Sequence, residues 1–131
     1  MNRLARTAAA GLLLSVMPAT AEDFPGQPYG EEYQKCNNQS TADIVQCVDT
    51  LVRQWDARLN AAYKKLMQQI PTGKRREELK AAQQLWIKYR AANCGWYAAG
   101  EGTISRIEGV ECMRSMTAAR TLELEFAGEE H

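Results

Sequence analysis

The stretch from Gln83 to Cys94 concentrates side chains that can bind other groups. It contains Gln83, Trp86, Arg90 and Cys94, which are separated by three, four and four residues. That spacing puts an amide, an indole, a guanidinium and a thiol on one face of a single helix. Such a face could hydrogen-bond, stack and pair with an anion. It is either a polar seam inside the fold or a binding stripe.

The preceding segment offers partners for this face. If the chain turns back near residues 71–73, Asp56 comes level with Arg90, and Asn60 comes level with Gln83 or Gln84. We interpret these side chains as a buried polar network that fixes the register of two helices. The alternative is a polar ligand pocket around Asp56 and Arg90. The predicted network consists of Asp56, Asn60, Gln83 and Arg90.

The residue types that catalysis needs are missing from suitable positions. The one histidine is His131, at the end of the chain, and no serine-hydrolase, phosphate-loop or zinc-protease motif occurs. We therefore predict no enzymatic activity, no catalytic residues, no metal site and no cofactor.

The four cysteines, Cys36, Cys47, Cys94 and Cys112, favour disulfides over a metal site, since no Cys-x-x-Cys pair is present. Of the three possible pairings we prefer Cys36–Cys47 with Cys94–Cys112, because each closes a short segment around a helix end. The rival is Cys47–Cys94 with Cys36–Cys112.

The apolar periodicity predicts three helices and no sheet. The first begins at Ser40 or Thr41 and ends at about Gln69; the second runs from about residue 73 to 100, and the third from about 110 to 126. The expected fold is all-α: a small helical bundle with a long antiparallel helical hairpin, a third helix and two disulfides. Residues 22–35 are expected to be an extended or disordered lead-in, 36–127 the helical domain and 128–131 a frayed tail.

The glycine-rich segment 100–109 is expected to form a loop, with or without a short turn of helix inside it, that Cys94 and Cys112 tie down at its base. An aromatic pair precedes it. A flexible loop beside aromatic side chains is typical of a recognition surface, although the aromatic pair could instead cap the core. The candidate partner-binding residues are Trp96, Tyr97, Glu101, Gly102, Thr103, Ser105 and Arg106.

Residues 1–21 have the pattern of a secretory signal peptide: Arg3 and Arg6, an apolar run and small residues before a cleavage point after Ala21. Without them, 14 basic residues remain against 16 acidic residues, a balance that does not suit nucleic-acid binding. We expect a bacterial periplasmic or secreted protein with no stable membrane insertion after cleavage.

Several motifs together resemble the LprI-like lysozyme-inhibitor family. The resemblance covers about Cys36 to Leu124, and it departs from the usual family pattern at Trp55 and Ala92. It implies an exported, helical, cysteine-paired domain that binds and inhibits lysozyme. The motifs are Asp56-x-x-Leu59-Asn60-x-x-Tyr63, Gln83-x-x-Trp86-x-x-Tyr89-Arg90-x-x-x-Cys94, Gly102-Thr103 and Thr117-x-x-Arg120, with the four cysteines.

Two functions follow as hypotheses. The first is a protein inhibitor of lysozyme, in which the 100–109 loop enters a cleft that holds two carboxylates. The alternative is a periplasmic binding or assembly module with another envelope partner, which predicts an exposed aromatic patch at Trp96 and Tyr97 and no effect on lysozyme.

Overall fold

The protein is all-α, as predicted. The structure, a computed structural model, describes residues 24–37 and 40–130, and the predicted signal peptide lies outside them. Four helices occur: α1 (Glu31–Cys36), α2 (Thr41–Gln69), α3 (Lys74–Ala98) and α4 (Ile104–Glu129). No strand is present in the described ranges, and none of the helices there is both long and apolar enough to cross a bilayer.

The long helix α2 begins and ends where the sequence indicates. Its N-cap is Ser40, whose Oγ accepts a hydrogen bond of 3.3 Å from the backbone N–H of Asp43. The helix ends before the Pro71-Thr72-Gly73 turn, after which α3 runs back in the opposite direction.

Helix α4 is the element that assembles the bundle, because it packs along both α2 and α3. The core has two clusters, one near each end of α2. Burying each of the larger apolar side chains contributes about 1.5–3 kcal/mol. The first cluster comprises Tyr33, Cys36, Ile44, Val48 and Ile107. The second comprises Leu59, Ala62, Leu66, Ile70 and Leu124.

The two disulfides are Cys36–Cys47, which joins α1 to α2, and Cys94–Cys112, which joins α3 to α4. The preferred pairing is thereby confirmed, and the rival pairing is excluded.

Three predicted boundaries were wrong. Residues 31–35, expected to be extended or disordered, belong to α1, because Tyr33 and Cys36 pack into the core. Helix α4 begins at Ile104 rather than near residue 110, because burial of Ser105, Ile107 and Gly109 outweighs the weak helix propensity of the glycines. It also continues to Glu129, with Gly128 buried, where a frayed tail was expected.

Candidate functional site

The connection between α3 and α4 forms a protruding corner, which we call the α3–α4 corner (residues 96–106 without the buried Ser105). Helix α3 ends at Ala98 and α4 begins at Ile104, so only five residues link them. The Cys94–Cys112 disulfide joins the two helices four residues before the end of α3 and eight residues after the start of α4. The corner is therefore a short, covalently anchored turn rather than the ten-residue loop that the sequence suggested.

An exposed aromatic pair dominates the corner. The side chain of Trp96 is 71% exposed, and its ring meets that of Tyr97 edge to face with centroids 4.8 Å apart. Ile104, at the start of α4, is also exposed. Large apolar side chains grouped at the surface are typical of a protein interaction site.

The polar candidates divide into exposed and buried residues. Glu101, Gly102, Thr103 and Arg106 are exposed on the corner, and Gly102 has a φ of +79°, a conformation that favours glycine. Ser105 is only 4% exposed, and its Oγ donates a 2.7 Å hydrogen bond to the Gly102 carbonyl. Ser105 therefore stabilises the turn and is not part of the exposed surface, contrary to the prediction.

The outer face of α3 extends the apolar surface away from the corner. Leu85 and Tyr89 are exposed, and with Trp96 they recur at intervals of four and seven residues on one helical face. The sequence contains this signal as a second apolar stripe on a different face from Gln83 and Cys94, but the prediction used only the face with Gln83 and Cys94.

The predicted contact between Arg90 and Asp56 is present, but the side chain of Asp56 is 45% exposed, so the pair is not buried as expected. Arg90 Nη1 lies 3.0 Å from Asp56 Oδ1 and donates a second hydrogen bond of 2.9 Å to Thr117 Oγ1. The guanidinium also lies 4.8 Å from the centroid of the Trp86 ring. Because Arg90 touches α2 and α4 as well as its own helix, it fixes the relative positions of all three.

The partner of Gln83 differs from the predicted one. Gln83 is buried, and its Oε1 accepts a hydrogen bond of 3.0 Å from Arg120 Nε on α4, whereas Asn60 is exposed on α2. The expected Asn60–Gln83 pair is absent because α4, rather than α2, packs against this part of α3.

A second polar cluster, centred on Arg114, was missed. The side chain of Arg114 is 1% exposed, and all five of its N–H donors make hydrogen bonds. They bond both oxygens of the equally buried Glu111, one oxygen of Glu32 and the backbone carbonyls of Pro25 and Gln27. The cluster therefore holds the segment before α1 against α4.

The charge of Arg114 is stabilised in this environment. Burial disfavours the guanidinium cation, but hydrogen bonds and charge attraction from Glu111 and Glu32 outweigh it, so the pKa of Arg114 lies above its ordinary value. The residues that the cluster joins are distant in sequence, so the sequence showed only that Glu111 and Arg114 are three residues apart. An exposed ion pair on a helix has the same spacing, so this pattern does not indicate burial.

The described residues contain neither a free thiol nor a cluster of metal ligands. All four cysteines are in disulfides, and within residues 24–37 and 40–130 no three His, Cys, Asp or Glu side chains group in a way that could hold a metal ion. What the surface offers is a corner with an exposed aromatic pair, one exposed cation, Arg106, and one exposed anion, Glu101.

A comparison with models of protein families gives a match. A family model described as "Lysozyme inhibitor LprI" matches residues 33–124, which extend from α1 to near the end of α4. No curated protein and no solved structure matches the chain.

Proposed function

This chain belongs to the LprI family of lysozyme inhibitors, and on that basis we propose that it binds a lysozyme as a protein partner and blocks its cleft without catalysing a reaction. The observation that supports this most directly is the α3–α4 corner, where Trp96 stands exposed on a turn that Cys94–Cys112 anchors.

The anchoring favours tight binding. Because a disulfide and a short link restrain the corner before it meets a partner, little conformational entropy is lost on association. A tryptophan that becomes buried at the centre of an interface typically contributes about 2 kcal/mol or more to binding.

The corner also carries a cation, Arg106, together with one anion, Glu101. The catalytic cleft of lysozyme holds two carboxyl groups, and Arg106 is exposed in the first turn of α4, two residues after Ile104. Arg106 would approach those carboxylates while Trp96 and Ile104 cover the apolar rim of the cleft.

Export of the protein is part of the proposal. The signal-peptide pattern at residues 1–21 and two disulfides in a small domain both suit an oxidising compartment, the periplasm or the exterior.

One observation also favours the alternative, a binding or assembly module with another envelope partner. The exposed apolar face of α3, which includes Leu85 and Tyr89, extends well beyond what a plug for a narrow cleft needs. This alternative predicts that the purified protein leaves lysozymes of every type fully active.

A cell-wall clearing assay with a panel of lysozymes separates the two. We expect the protein to inhibit at least one lysozyme, and Trp96→Ala to weaken inhibition by about 30-fold, which corresponds to about 2 kcal/mol. Ile87→Ala, which truncates another exposed side chain of α3, is the matched control and should inhibit normally.

A second pair of variants tests the charge. Arg106→Ala should weaken inhibition, and the effect should shrink as salt is raised, because screening reduces the attraction to the cleft carboxylates. Arg53→Ala removes the same charge from an exposed site on α2 and should leave inhibition unchanged. Full activity of all lysozymes at excess protein would disprove the proposal.

A further inference from the structure

A separate apolar groove lies at the opposite end of α4 from the corner. It has a volume of about 510 Å³, and its largest side chains, Phe24 and Phe126, are 48% and 62% exposed. We call it the Phe24–Phe126 groove. Its other lining residues are Ala119, Leu122, Glu123, Glu125 and Glu129. Phe126 is about 30 Å along α4 from Ile104, so the groove and the corner are distinct surfaces.

The protein holds Phe24 in place by a dedicated arrangement. Buried Arg114 donates hydrogen bonds of 2.7 Å and 2.8 Å to the carbonyls of Pro25 and Gln27. Between them, Gly26 lies so close to α4 that an added Cβ would be 2.7 Å from the Cβ of Ala119. The turn is thus held directly on α4, and it leaves the Phe24 ring at the surface beside the groove.

The rim of the groove is acidic. Glu129 is exposed and has no ion pair within residues 24–37 and 40–130. Glu123 is 64% exposed and pairs through one oxygen with Arg120, while Glu125 pairs through both oxygens with Arg58. The arginines do not line the groove. A ligand in the groove therefore meets exposed apolar side chains and carboxylates together.

The charge at the rim argues against two other occupants. A second copy of this chain, joined through the same face of each molecule, would bring the carboxylates of Glu123 and Glu129 against their counterparts. A membrane surface of anionic lipid would be repelled by the same carboxylates. A segment in which cations flank an apolar side chain matches both the apolar lining of the groove and its carboxylates.

We propose that the Phe24–Phe126 groove is a docking surface for a basic amphipathic segment of a protein partner. The segment inserts an apolar side chain between the two phenylalanine rings and sets lysine or arginine against Glu123 and Glu129. This surface works independently of lysozyme inhibition at the α3–α4 corner.

The test uses the full mature protein and a dye-labelled amphipathic peptide with leucine on one face and lysine on the other, with binding followed by fluorescence anisotropy. We expect saturable binding that weakens about tenfold or more in Phe126→Ser, because a central aromatic contact is lost. Glu129→Lys should also weaken binding and reduce its dependence on salt.

Matched controls establish the site. Tyr89→Ser removes an equally exposed aromatic ring from α3, and Glu101→Lys makes the same change of charge at the corner. Both should bind the peptide as the unaltered protein does. Equal losses in these controls would overturn the proposal, as would equal binding of a peptide in which glutamate replaces every lysine.

Two further results keep this proposal separate from lysozyme inhibition. Trp96→Ala should bind the peptide normally even though it inhibits lysozyme less well. That result would show that the groove and the corner act separately. Sedimentation should show no dimer that depends on Phe126, and a dimer that Phe126→Ser abolishes would identify a second copy as the occupant and overturn the assignment.

Discussion

Replacing Arg114 with methionine tests the energetics of the buried cluster. Methionine keeps the apolar length of the side chain but removes all five donors, which leaves the carboxylate of Glu111, itself 1% exposed, without its cation. Glu32 keeps a hydrogen bond of 2.8 Å from the indole N–H of Trp55. The main cost of the substitution therefore falls on Glu111.

The structure gives the size of the effect. Removing one partner of a buried ion pair costs about 3–5 kcal/mol, a large part of the roughly 5–15 kcal/mol that stabilises a typical domain. Replacing both partners, Arg114→Met with Glu111→Leu, removes the unpaired charge. The double variant still loses the hydrogen bonds to the carbonyls of Pro25 and Gln27 and the one that Tyr29 N–H donates to Glu111, which contribute about 0.5–1.5 kcal/mol each.

Urea unfolding followed by circular dichroism measures both variants. We expect Arg114→Met to lose about 3–5 kcal/mol, and the double variant to lose less than the single variant, because it leaves no unpaired buried charge. Hydrogen exchange should also show faster opening of residues 24–36. A loss under about 1 kcal/mol in the single variant, or a double variant no more stable than the single one, would refute this reasoning.

Three further predictions concern stability. Arg90→Ala should cost about 1.5–3 kcal/mol in urea unfolding, since it removes charged hydrogen bonds that join three helices; an unchanged melting temperature would contradict this. The ion pair between Glu125 and Arg58 holds the pKa of Glu125 below the ordinary 4.5. The stabilisation from this pair is therefore complete above pH 4.5 and is lost as the pH falls through the lowered pKa. Glu125→Gln should therefore cost about 0.2–1 kcal/mol at neutral pH and nothing in strong acid, measured by urea midpoints. Cys94→Ser with Cys112→Ser opens a link between residues 18 apart and should cost about 3 kcal/mol; equal urea midpoints would contradict it.

Much of the fold follows from local pattern. The repeat of apolar residues predicts α2 because a helix that packs on one side needs that spacing. Counting back from the turn at residues 71–73 places Asp56 opposite Arg90, and the two are 3.0 Å apart. The cysteine pairs are close in sequence, so short-range geometry favours the connectivity that is found.

The remaining features depend on contacts between distant parts of the chain. Arg114 bonds to the carbonyls of Pro25 and Gln27, and a backbone carbonyl carries no signature in the sequence. Gly102 and Gly109 both indicate a loop, but only Gly102 lies in a turn with positive φ, while Gly109 is buried inside α4. Whether such a glycine lies in a turn or inside a helix depends on packing that the local sequence does not specify.

The candidate surface was predicted only in part. Trp96 and Tyr97 stand out because they follow a helix and precede glycines, and both are exposed. The burial of Ser105 could not be foreseen, because it depends on α4 starting at Ile104.

Isothermal titration calorimetry of the mature protein against a panel of purified lysozymes tests most directly the central claim that the protein binds a lysozyme. We predict saturable one-to-one binding to at least one lysozyme, with Trp96→Ala binding about 30-fold more weakly and Ile87→Ala binding normally. Absence of binding to every lysozyme in the panel, or equal affinity of Trp96→Ala and the unaltered protein, would contradict the account.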